Sequence, residues 1–204
     1  MANISSEELK AWGESFEAKQ PQEVLAAAIE RYVPKIVLAC SFGAEDVVLL
    51  DMVHRINLSV PLFYLDTEFL FPETYAARDR VIERYGLHQR QVIQVKSLLT
   101  PEQQAAQHGE ALWTRQPDQC CELRKVEPLT RVLKGFDAWI TGIRRDQSPT
   151  RANAKLIDWD QKFQLVKVNP LAKWTWEDVW AYIRVHEVPY NELHDRNYPS
   201  IGCT

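Results

Sequence analysis

The sequence predicts a single α/β domain over residues 1–204, with a mainly parallel, twisted sheet flanked by helices. Short, nearly continuous apolar runs of strand length alternate along the chain with longer segments of helical spacing. This alternation is typical of parallel sheets covered by helices. No internal repeat, low-complexity tract or linker interrupts the pattern, and 204 residues are enough to bury a substantial core as one unit.

Capping residues mark where the predicted helices begin and end. Ser5 and Glu8 have the spacing of a capping box, and Gly86 follows a helical stretch as a stop signal. We therefore predict helices over about 6–17, 21–33, 47–56 and 72–85, a helix opening at Thr100, one running from the paired cysteines to about Leu133, and one from Thr175 to about His186. Residues 109–117 are predicted to be irregular.

Six apolar runs of strand length are the predicted strands. Four of them cover 35–41, 61–67, 90–96 and 137–143. The first, KIVLACS, is nearly continuous in apolar residues, which is typical of a parallel strand buried on both faces. The last two, 156–160 and 163–170, are predicted to pair antiparallel through a tight turn at Asp160-Gln161.

Composition and charge exclude several classes of protein. Apolar residues make up 46% and charged residues 25% of the chain, and the net charge of −4 provides no basic footprint for nucleic acid. No basic segment followed by an apolar run opens the sequence, and no stretch approaches the roughly 18 apolar residues of a membrane span. We therefore expect a cytoplasmic protein, in which clustered cysteines more often bind metal or do chemistry than form disulfides.

Two adjacent cysteines, Cys120 and Cys121, are the most unusual feature of the sequence, and Cys203 follows near the end of the chain. A disulfide between neighbours closes a strained ring, so the pair indicates another use. Zinc sites and iron–sulfur clusters both gather thiolates from separate segments. Neighbouring ligands are cramped on one tetrahedral zinc, so a [4Fe–4S] cluster is the better fit. The alternative is that all three are buried core residues.

Two further candidate segments follow predicted strands, where open parallel sheets bind their ligands. In residues 40–46 a strand ends, Gly43 allows an unusual turn and a helix begins, so backbone N–H groups there can receive an anion or phosphate. In Leu65-Asp66-Thr67 the polar side chains can bond ribose or an adenine edge. The alternative for both segments is an ordinary strand-to-helix turn with a helix cap.

The stretch after the fourth predicted strand is basic. Arg144, Arg145, Arg151 and Lys155 lie within twelve residues of one another, against a single acid. Guanidinium groups match phosphate and sulfate oxygens in a bidentate fork, so this loop is a candidate anion site. The alternative is a solvated basic loop.

Five segments occur in a fixed order along the chain, namely CSFGAEDVVLLDM, LDTEFLFPET, CCELRKVEPL, ITGIRRDQSPTRA and YPSIGC. Together they resemble the bacterial assimilatory adenylyl-sulfate reductases, which belong to the wider phosphoadenylyl-sulfate reductase family. The resemblance covers nearly the whole chain from about residue 20. It implies a fold like that of the adenine-nucleotide α-hydrolases. The paired cysteines resemble the cluster-bearing branch that uses adenylyl sulfate, rather than the cluster-free branch that needs a 3′-phosphate.

The resemblance also implies a site. It implies a [4Fe–4S] cluster on Cys120, Cys121 and Cys203, and a role for Lys125 between cluster and substrate, where a cation can screen two anions from each other. It implies a modified pyrophosphate loop, an adenosine pocket and a basic loop for the phosphosulfate, with the substrate-binding residues Ser41, Phe42, Gly43, Glu45, Asp46, Leu65, Asp66, Thr67, Arg144, Arg145 and Arg151.

The implied reaction is attack of a cysteine thiolate on the sulfur of adenylyl sulfate. AMP leaves, an enzyme S-sulfocysteine forms, and thioredoxin or glutaredoxin releases sulfite. In the family a fourth cluster cysteine would fall two residues beyond Thr204, and the nucleophile lies in a Glu-Cys-Gly-x-His tail; the 204 residues contain neither. We therefore expect the chain as printed to lack the catalytic tail and to bind adenosine nucleotides without turnover.

The sequence is also compatible with other functions. Phosphoadenylyl sulfate is an alternative substrate, and a non-redox adenine-nucleotide enzyme of the same fold is a different class, although CSFGAED departs from the Ser-Gly-Gly-x-Asp-Ser loop of that class. A regulatory nucleotide-binding or iron-binding module is a third. Cys40 ends a core strand, where a buried thiol is inert. We expect no nucleic-acid or membrane partner, and self-association is open.

Overall fold

The computed structural model of the chain describes residues 4–88 and 90–203. Its strands are β1 (Ile36–Ala39), β2 (Leu62–Asp66), β3 (Val92–Lys96), β4 (Ala138–Ile140), β5 (Ile157–Asp160) and β6 (Leu165–Val168). They form one six-stranded sheet in the order β3-β2-β1-β4-β6-β5. All neighbours are parallel except β5 and β6, which confirms the predicted mainly parallel sheet and its antiparallel hairpin.

The strand order reverses between β1 and β4. From β1 the chain moves outward through β2 to β3, and then returns to place β4 on the other side of β1. At such a switch point the segments that follow the two central strands diverge and leave a crevice at the carboxyl edge of the sheet. The topology therefore places the candidate segments after β1, β2 and β4 around one crevice.

The helices are α1 (Ser6–Ser15), α2 (Pro21–Tyr32), α3 (Ala44–Ile56), α4 (Pro72–Tyr85), α5 (Pro101–His108), α6 (Leu112–Arg115), α7 (Pro117–Cys121), α8 (Glu127–Leu133) and α9 (Trp176–His186). Capping boxes open α1 at Ser5, α5 at Thr100 and α9 at Thr175, and Gly86 ends α4 in the left-handed conformation at φ 58°. Within the described residues, every helix is too short or too polar to cross a membrane.

A π-helical turn, Glu122–Val126, joins α7 to α8. The paired cysteines therefore lie at the end of α7, on one nearly continuous helical stretch, as the sequence predicts. The extra residue in a π turn rotates the side chains that follow it relative to an ideal α-helix, and such turns often occur at functional sites. Arg124 and Lys125 both lie in this turn.

Three local predictions are wrong. β4 has three residues rather than seven. The connection between β5 and β6 spans residues 161–164, because Oδ1 of Asp160 accepts hydrogen bonds from the backbone N–H groups of Lys162 and Phe163 and shapes a longer loop. The stretch predicted as irregular contains α6, and Arg115 stabilises it by donating hydrogen bonds to the carbonyls of His108 and Glu110.

Helices cover both faces of the sheet, which is why the central strands β1 and β4 are apolar throughout. The larger core lies between one face and α2, α3 and α9. The smaller core lies on the other face, where Val37, Phe63 and Trp139 pack near Leu133 of α8. The π turn connects α8 directly to α7. By fixing α8 against the sheet, the second core therefore also positions the end of α7, which carries the paired cysteines.

We predict that Gly13→Ala destabilises the protein. An added Cβ would lie 2.8 Å from the carbonyl oxygen of Ile157, so α1 would have to move away from β5, at a cost of about 1–3 kcal/mol. Helix propensity alone predicts the opposite sign, a gain of up to about 1 kcal/mol. Denaturant unfolding decides between the signs, with the exposed neighbour Glu14→Ala as the control, expected within about 0.5 kcal/mol of the parent protein.

Candidate active site

A cavity of about 300 Å³ opens at the carboxyl ends of β1, β2 and β4. This is the crevice that the switch in strand order predicts. Its lining includes both apolar and polar side chains. The lining residues are Ala39, Cys40, Ser41, Phe42, Asp46, Phe63, Tyr64, Leu65, Thr67, Leu70, Thr74, Lys125, Leu129, Trp139, Thr141, Gly142, Ile201, Gly202 and Cys203. Five of the predicted site residues from two separate turns, Ser41, Phe42, Asp46, Leu65 and Thr67, are thus brought together.

The turn after β1 differs from the expectation for Gly43. Phe42 adopts the left-handed conformation at φ 62°, whereas Gly43 is extended at φ −73° and caps α3. The Phe42 ring is buried and packs on the Tyr64 ring, with 5.5 Å between centroids. This packing holds the Phe42 backbone in a strained conformation. From the sequence alone, the unusual backbone conformation of this turn is expected at Gly43.

Asp46 closes the same turn. Its Oδ2 accepts hydrogen bonds from the backbone N–H and from the hydroxyl of Ser41, each at 2.6 Å. Burial raises the pKa of Asp46 to about 6; the Ser41 hydrogen bonds oppose this shift and nearby Glu45 adds to it. The two donors of Ser41 are therefore occupied by Asp46 while that carboxylate is ionised.

Gly142 lies at the end of β4 and lines the cavity. A Cβ at this position would lie 2.5 Å from Oδ1 of Asp46 and 2.9 Å from Cβ of Glu45. The strand end and the first turn of α3 are therefore in direct contact, and no larger residue fits between them without displacing the two acids.

At the end of β2, two of the three predicted site residues line the cavity and the third does not. Leu65 and Thr67 line the cavity. Asp66 is buried outside the lining, where Oδ1 accepts from the Tyr75 hydroxyl at 2.6 Å and Oδ2 from the Gln94 amide at 2.5 Å. Burial alone would raise the pKa of Asp66, but hydrogen bonds from Tyr75, the Glu68 backbone and Gln94 lower it below its usual value. A ribose or adenine contact of Asp66 stays a prediction.

The three loop arginines have different partners. Arg144 is buried, donates to Glu45 at 2.9 Å and also pairs with Asp146. Arg145 donates to Glu17 at 2.9 Å. Within residues 4–88 and 90–203, Arg151 forms no ion pair with a carboxylate, and its side chain donates one hydrogen bond, to Gln147. Of the three guanidinium groups, that of Arg151 is the one whose charge is left available to an anion.

A second cavity of about 90 Å³ holds the three predicted metal-ligating cysteines. Its lining residues are Thr67, Phe69, Trp113, Pro117, Cys120, Cys121, Arg124, Lys125 and Cys203. Thr67, Lys125 and Cys203 line both cavities. Cys203 is placed there by a backbone bridge to Leu70 and by a 3.2 Å contact between its Sγ and Oγ1 of Thr67. Within the described residues, no three His, Cys, Asp or Glu side chains are grouped closely enough to hold a metal ion.

Arg124 is the residue that sequence reasoning missed. It is 1% exposed, donates from Nε to Gln104 at 2.8 Å and pairs through Nη1 with Glu68 at 3.1 Å. Its Nη2 is buried without a hydrogen-bond partner among the described residues, although the side chain lines the cysteine cavity. A buried, unpaired N–H donor is costly, so this cavity suits an acceptor. In the sequence, the one indication that Arg124 belongs to this cavity is its position three residues after the cysteine pair.

Cys40 is the remaining cysteine. It is buried at the end of β1, where it lines the larger cavity. Burial raises the pKa of the Cys40 thiol well above its ordinary value, and nearby Asp46 adds to the shift. Because the thiolate is the reactive form, this environment keeps Cys40 unreactive.

Comparison with known proteins gives concordant results. Residues 35–204 match the family model for the phosphoadenosine phosphosulfate reductase domain. The chain is 50% identical over 182 residues to an adenosine 5′-phosphosulfate reductase of Shouchella clausii, covering 89% of this chain and 75% of that protein.

Two solved structures resemble the whole fold. A phosphoadenylyl-sulfate reductase of Candida auris, in a phosphate complex, superposes with a TM-score of 0.87 at 33% identity, covering 98% of this chain and 96% of that one. An FMN adenylyltransferase of Candida glabrata superposes with a TM-score of 0.64 at 16% identity, over 100% of this chain and 66% of that one. The second likeness concerns the fold alone, and both agree with the predicted adenine-nucleotide α-hydrolase-like architecture.

We predict that Asp46→Asn changes how stability depends on pH. The folded-state pKa of Asp46, about 6, lies above its ordinary value of 3.8, so protonation of Asp46 favours the folded state. That contribution is complete below pH 3.8 and is lost as pH rises through about 6. As pH rises from 4 to 7, the free energy of unfolding of Asp46→Asn should therefore increase by about 1–3 kcal/mol relative to that of the parent protein.

Urea unfolding across this pH range measures the difference. The control is Asp79→Asn, which alters a carboxylate with 65% of its side chain exposed and should show no such pH-dependent gain. Parallel pH profiles for the parent protein and Asp46→Asn would contradict the prediction.

Proposed function

The chain belongs to the phosphoadenosine phosphosulfate reductase family, and we propose that it serves the reduction of adenylyl sulfate to sulfite and AMP, with a cysteine nucleophile other than the four in these 204 residues and with thioredoxin or glutaredoxin as the dithiol donor. The observation that carries the proposal is the position of Lys125, on the wall common to a nucleoside-sized cavity and a cavity of three cysteines. A cation there attracts an anionic substrate and separates its charge from that of the thiolates. The relative in Shouchella clausii, an adenosine 5′-phosphosulfate reductase by name, supports the same substrate.

The larger cavity supports binding of the adenosine moiety. Leu65, Phe63 and Trp139 line the cavity and provide apolar surface for the base, and a volume of about 300 Å³ lies at the lower end of small-ligand sites. The first turn of α3 lies at the polar end, where backbone N–H groups and the helix dipole favour a phosphate. In this orientation Lys125, which also lines the cavity, is available to the sulfate end of the substrate.

Arg151 is the proposed anion-binding arginine. Arg144 and Arg145 are neutralised by Glu45, Asp146 and Glu17, so they contribute to the shape of the loop, whereas the charge of Arg151 is available to the phosphosulfate. A guanidinium group stabilises the charge that develops on the phosphate oxygen as AMP leaves. Lys125 and Arg151 together provide two positive charges for the reacting end of the substrate.

The cysteine cavity supports a [4Fe–4S] cluster as the cofactor. Three thiols from two separate segments line it, and the unpaired Nη2 of Arg124 provides a donor for an anionic sulfur centre. Cys120, Cys121 and Cys203 would hold three of the four irons. When bound, the cluster supplies a polarisable anionic centre beside the substrate site. Among the residues that the structure describes, the three thiols are not grouped as a metal site, so their side chains would have to move to hold a cluster.

In the proposed reaction a cysteine thiolate attacks the sulfur of adenylyl sulfate. The new S–S bond forms as the S–O bond to the phosphate breaks, and AMP leaves with the electron pair of that bond. A thiolate of the dithiol donor then attacks the enzyme sulfur, sulfite leaves with the S–S electron pair, and a mixed disulfide forms that the second thiol resolves. The raised pKa of Cys40 makes it unsuitable as the nucleophile, and the other three cysteines lie in the cluster cavity.

Phosphoadenylyl sulfate is a second candidate substrate. The observation in its favour is the whole-chain likeness to the Candida auris enzyme, a phosphoadenylyl-sulfate reductase by name, at 33% identity. Competition between the two nucleotides decides between them: adenosine 3′,5′-bisphosphate should bind more weakly than AMP if adenylyl sulfate is the substrate, and more tightly if phosphoadenylyl sulfate is.

We predict that anaerobically purified protein contains iron and acid-labile sulfide, and that Cys120→Ser and Cys203→Ser each lose most of both because a cubane needs its thiolate ligands. Cys40→Ser is the matched control and should keep the parent iron content, since Cys40 lies outside the cysteine cavity. Iron and sulfide analysis with the visible absorption spectrum provides the measurement. Iron-free parent protein, or equal iron in Cys203→Ser, would refute the cluster.

We predict that the 204-residue polypeptide binds AMP but does not release sulfite from adenylyl sulfate with thioredoxin, because none of its four cysteines suits the nucleophilic role. AMP should raise the melting temperature by stabilising the folded form, and should do so more than ATP at equal concentration. Sulfite assays over many enzyme equivalents test the second part. Sustained sulfite release would overturn the assignment of the four cysteines, whereas failure to bind AMP would overturn the nucleotide site.

A further inference from the structure

Gln147 makes four side-chain hydrogen bonds, one of them to Gly142, which lines the larger cavity. Its Oε1 accepts from the backbone N–H of Arg144 at 3.1 Å and from Nη1 of Arg151. Its Nε2 donates to Oε1 of Glu45 at 2.9 Å and to the carbonyl of Gly142 at 3.2 Å. These four bonds use the full capacity of a primary amide, two donors and two acceptors. The partners also determine the orientation of the amide, since the acceptors Glu45 and Gly142 require its N–H groups.

The four partners belong to three different segments. Glu45 lies in the first turn of α3, Gly142 follows β4 and lines the cavity, and Arg151 lies further along the basic loop. Glu45 is also the ion-pair partner of the buried Arg144. One amide therefore connects the start of α3 and the end of β4 to the single loop arginine that lacks a carboxylate partner among the described residues.

The hydrogen bond from Arg151 to Gln147 restrains the arginine side chain. An exposed arginine samples many rotamers, and ordering its side chain costs up to about 2 kcal/mol of conformational entropy. A neutral acceptor restrains the guanidinium without cancelling its charge, whereas a carboxylate in the same place would neutralise it. The hydrogen bond to Gln147 occupies Nη1 and leaves the other guanidinium N–H groups for a ligand.

We propose that Gln147 is a positioning residue: it links Arg151 to Gly142 on the wall of the larger cavity, so that the Arg151 guanidinium is preorganised for the anionic end of a substrate bound there. The proposal rests on the proposed function, in which that cavity binds a sulfated adenylate. It assigns Gln147 no contact with the substrate and no proton transfer. Gln147 affects ligand affinity indirectly. The effect requires that Arg151 is present and that the ligand carries an anionic group.

The test compares AMP with adenosine, which has the same base and ribose but no anionic group. Calorimetric titration of the 204-residue protein gives the ratio of the two affinities for the parent, Gln147→Met, Arg151→Met and the double variant. Gln147→Met removes all four hydrogen bonds at similar volume. We expect it to weaken AMP binding about 10- to 100-fold, the range for a charge-assisted hydrogen bond, and to leave adenosine binding within about twofold.

The double variant separates positioning from a general structural role. If Gln147 acts through Arg151, Gln147→Met should weaken AMP binding no further once Arg151→Met is present. Equal losses for AMP and adenosine, or additive losses in the double variant, would overturn the proposal. Gln161→Met, in the exposed loop after β5, is the matched control and should bind both ligands as the parent protein does. If Gln147→Met does not fold, Gln147→Asn keeps the amide at shorter reach and takes its place with the same criteria.

The outcomes also separate this inference from the function on which it rests. If the parent protein binds neither AMP nor adenosine, the nucleotide site itself is wrong. If Arg151→Met removes the preference for AMP while Gln147→Met retains it, the site stands and only the role of Gln147 is refuted.

Discussion

The site depends on the direct contact between the end of β4 and the first turn of α3. Gly142 permits that contact, because any side chain at this position would overlap Glu45 and Asp46. The contact brings two segments that are about a hundred residues apart to the switch point of the sheet, and both acids then act as acceptors for the loops around them. Asp46 holds Ser41 in the turn after β1, and Glu45 holds Arg144 and Gln147 in the loop after β4.

This arrangement distributes charge unevenly around the cavity. Most basic side chains of the neighbouring loop are paired with carboxylates, so their charge stabilises the fold rather than attracting a ligand. Lys125 lines both cavities, and Arg151 has a neutral amide as its partner. Among the described residues neither of these two side chains pairs with a carboxylate, whereas Arg144 and Arg145 do. The positive charge that the proposed anion site requires is therefore that of Lys125 and Arg151.

The π turn after the cysteine pair links the second cavity to the first. It directs the Arg124 side chain into the buried network of Gln104 and Glu68, and it places Lys125 on the wall between the two cavities. Cys203 reaches the same wall through its bridge to Leu70. The smaller cavity therefore combines thiols from the middle and the end of the chain, and it shares Cys203, Lys125 and Thr67 with the larger cavity.

The sequence by itself determined the fold class, the helix boundaries at capped ends and the set of segments around the site. Those features depend on local signals: Ser5 with Glu8, Gly86, and apolar runs of strand length. Only the tertiary structure decided which members of the set face the cavity. Asp66 and Arg144 belong to the predicted motifs but bond to Tyr75 and Glu45 instead.

Phe42 takes the left-handed position expected of Gly43 because its ring is buried against Tyr64, and nothing local in the sequence records that packing. Gln147 and Arg124 were not recognisable for the same reason. A motif names residue types along the chain, whereas the partner of each side chain is set by segments that lie far away in sequence and adjacent in space.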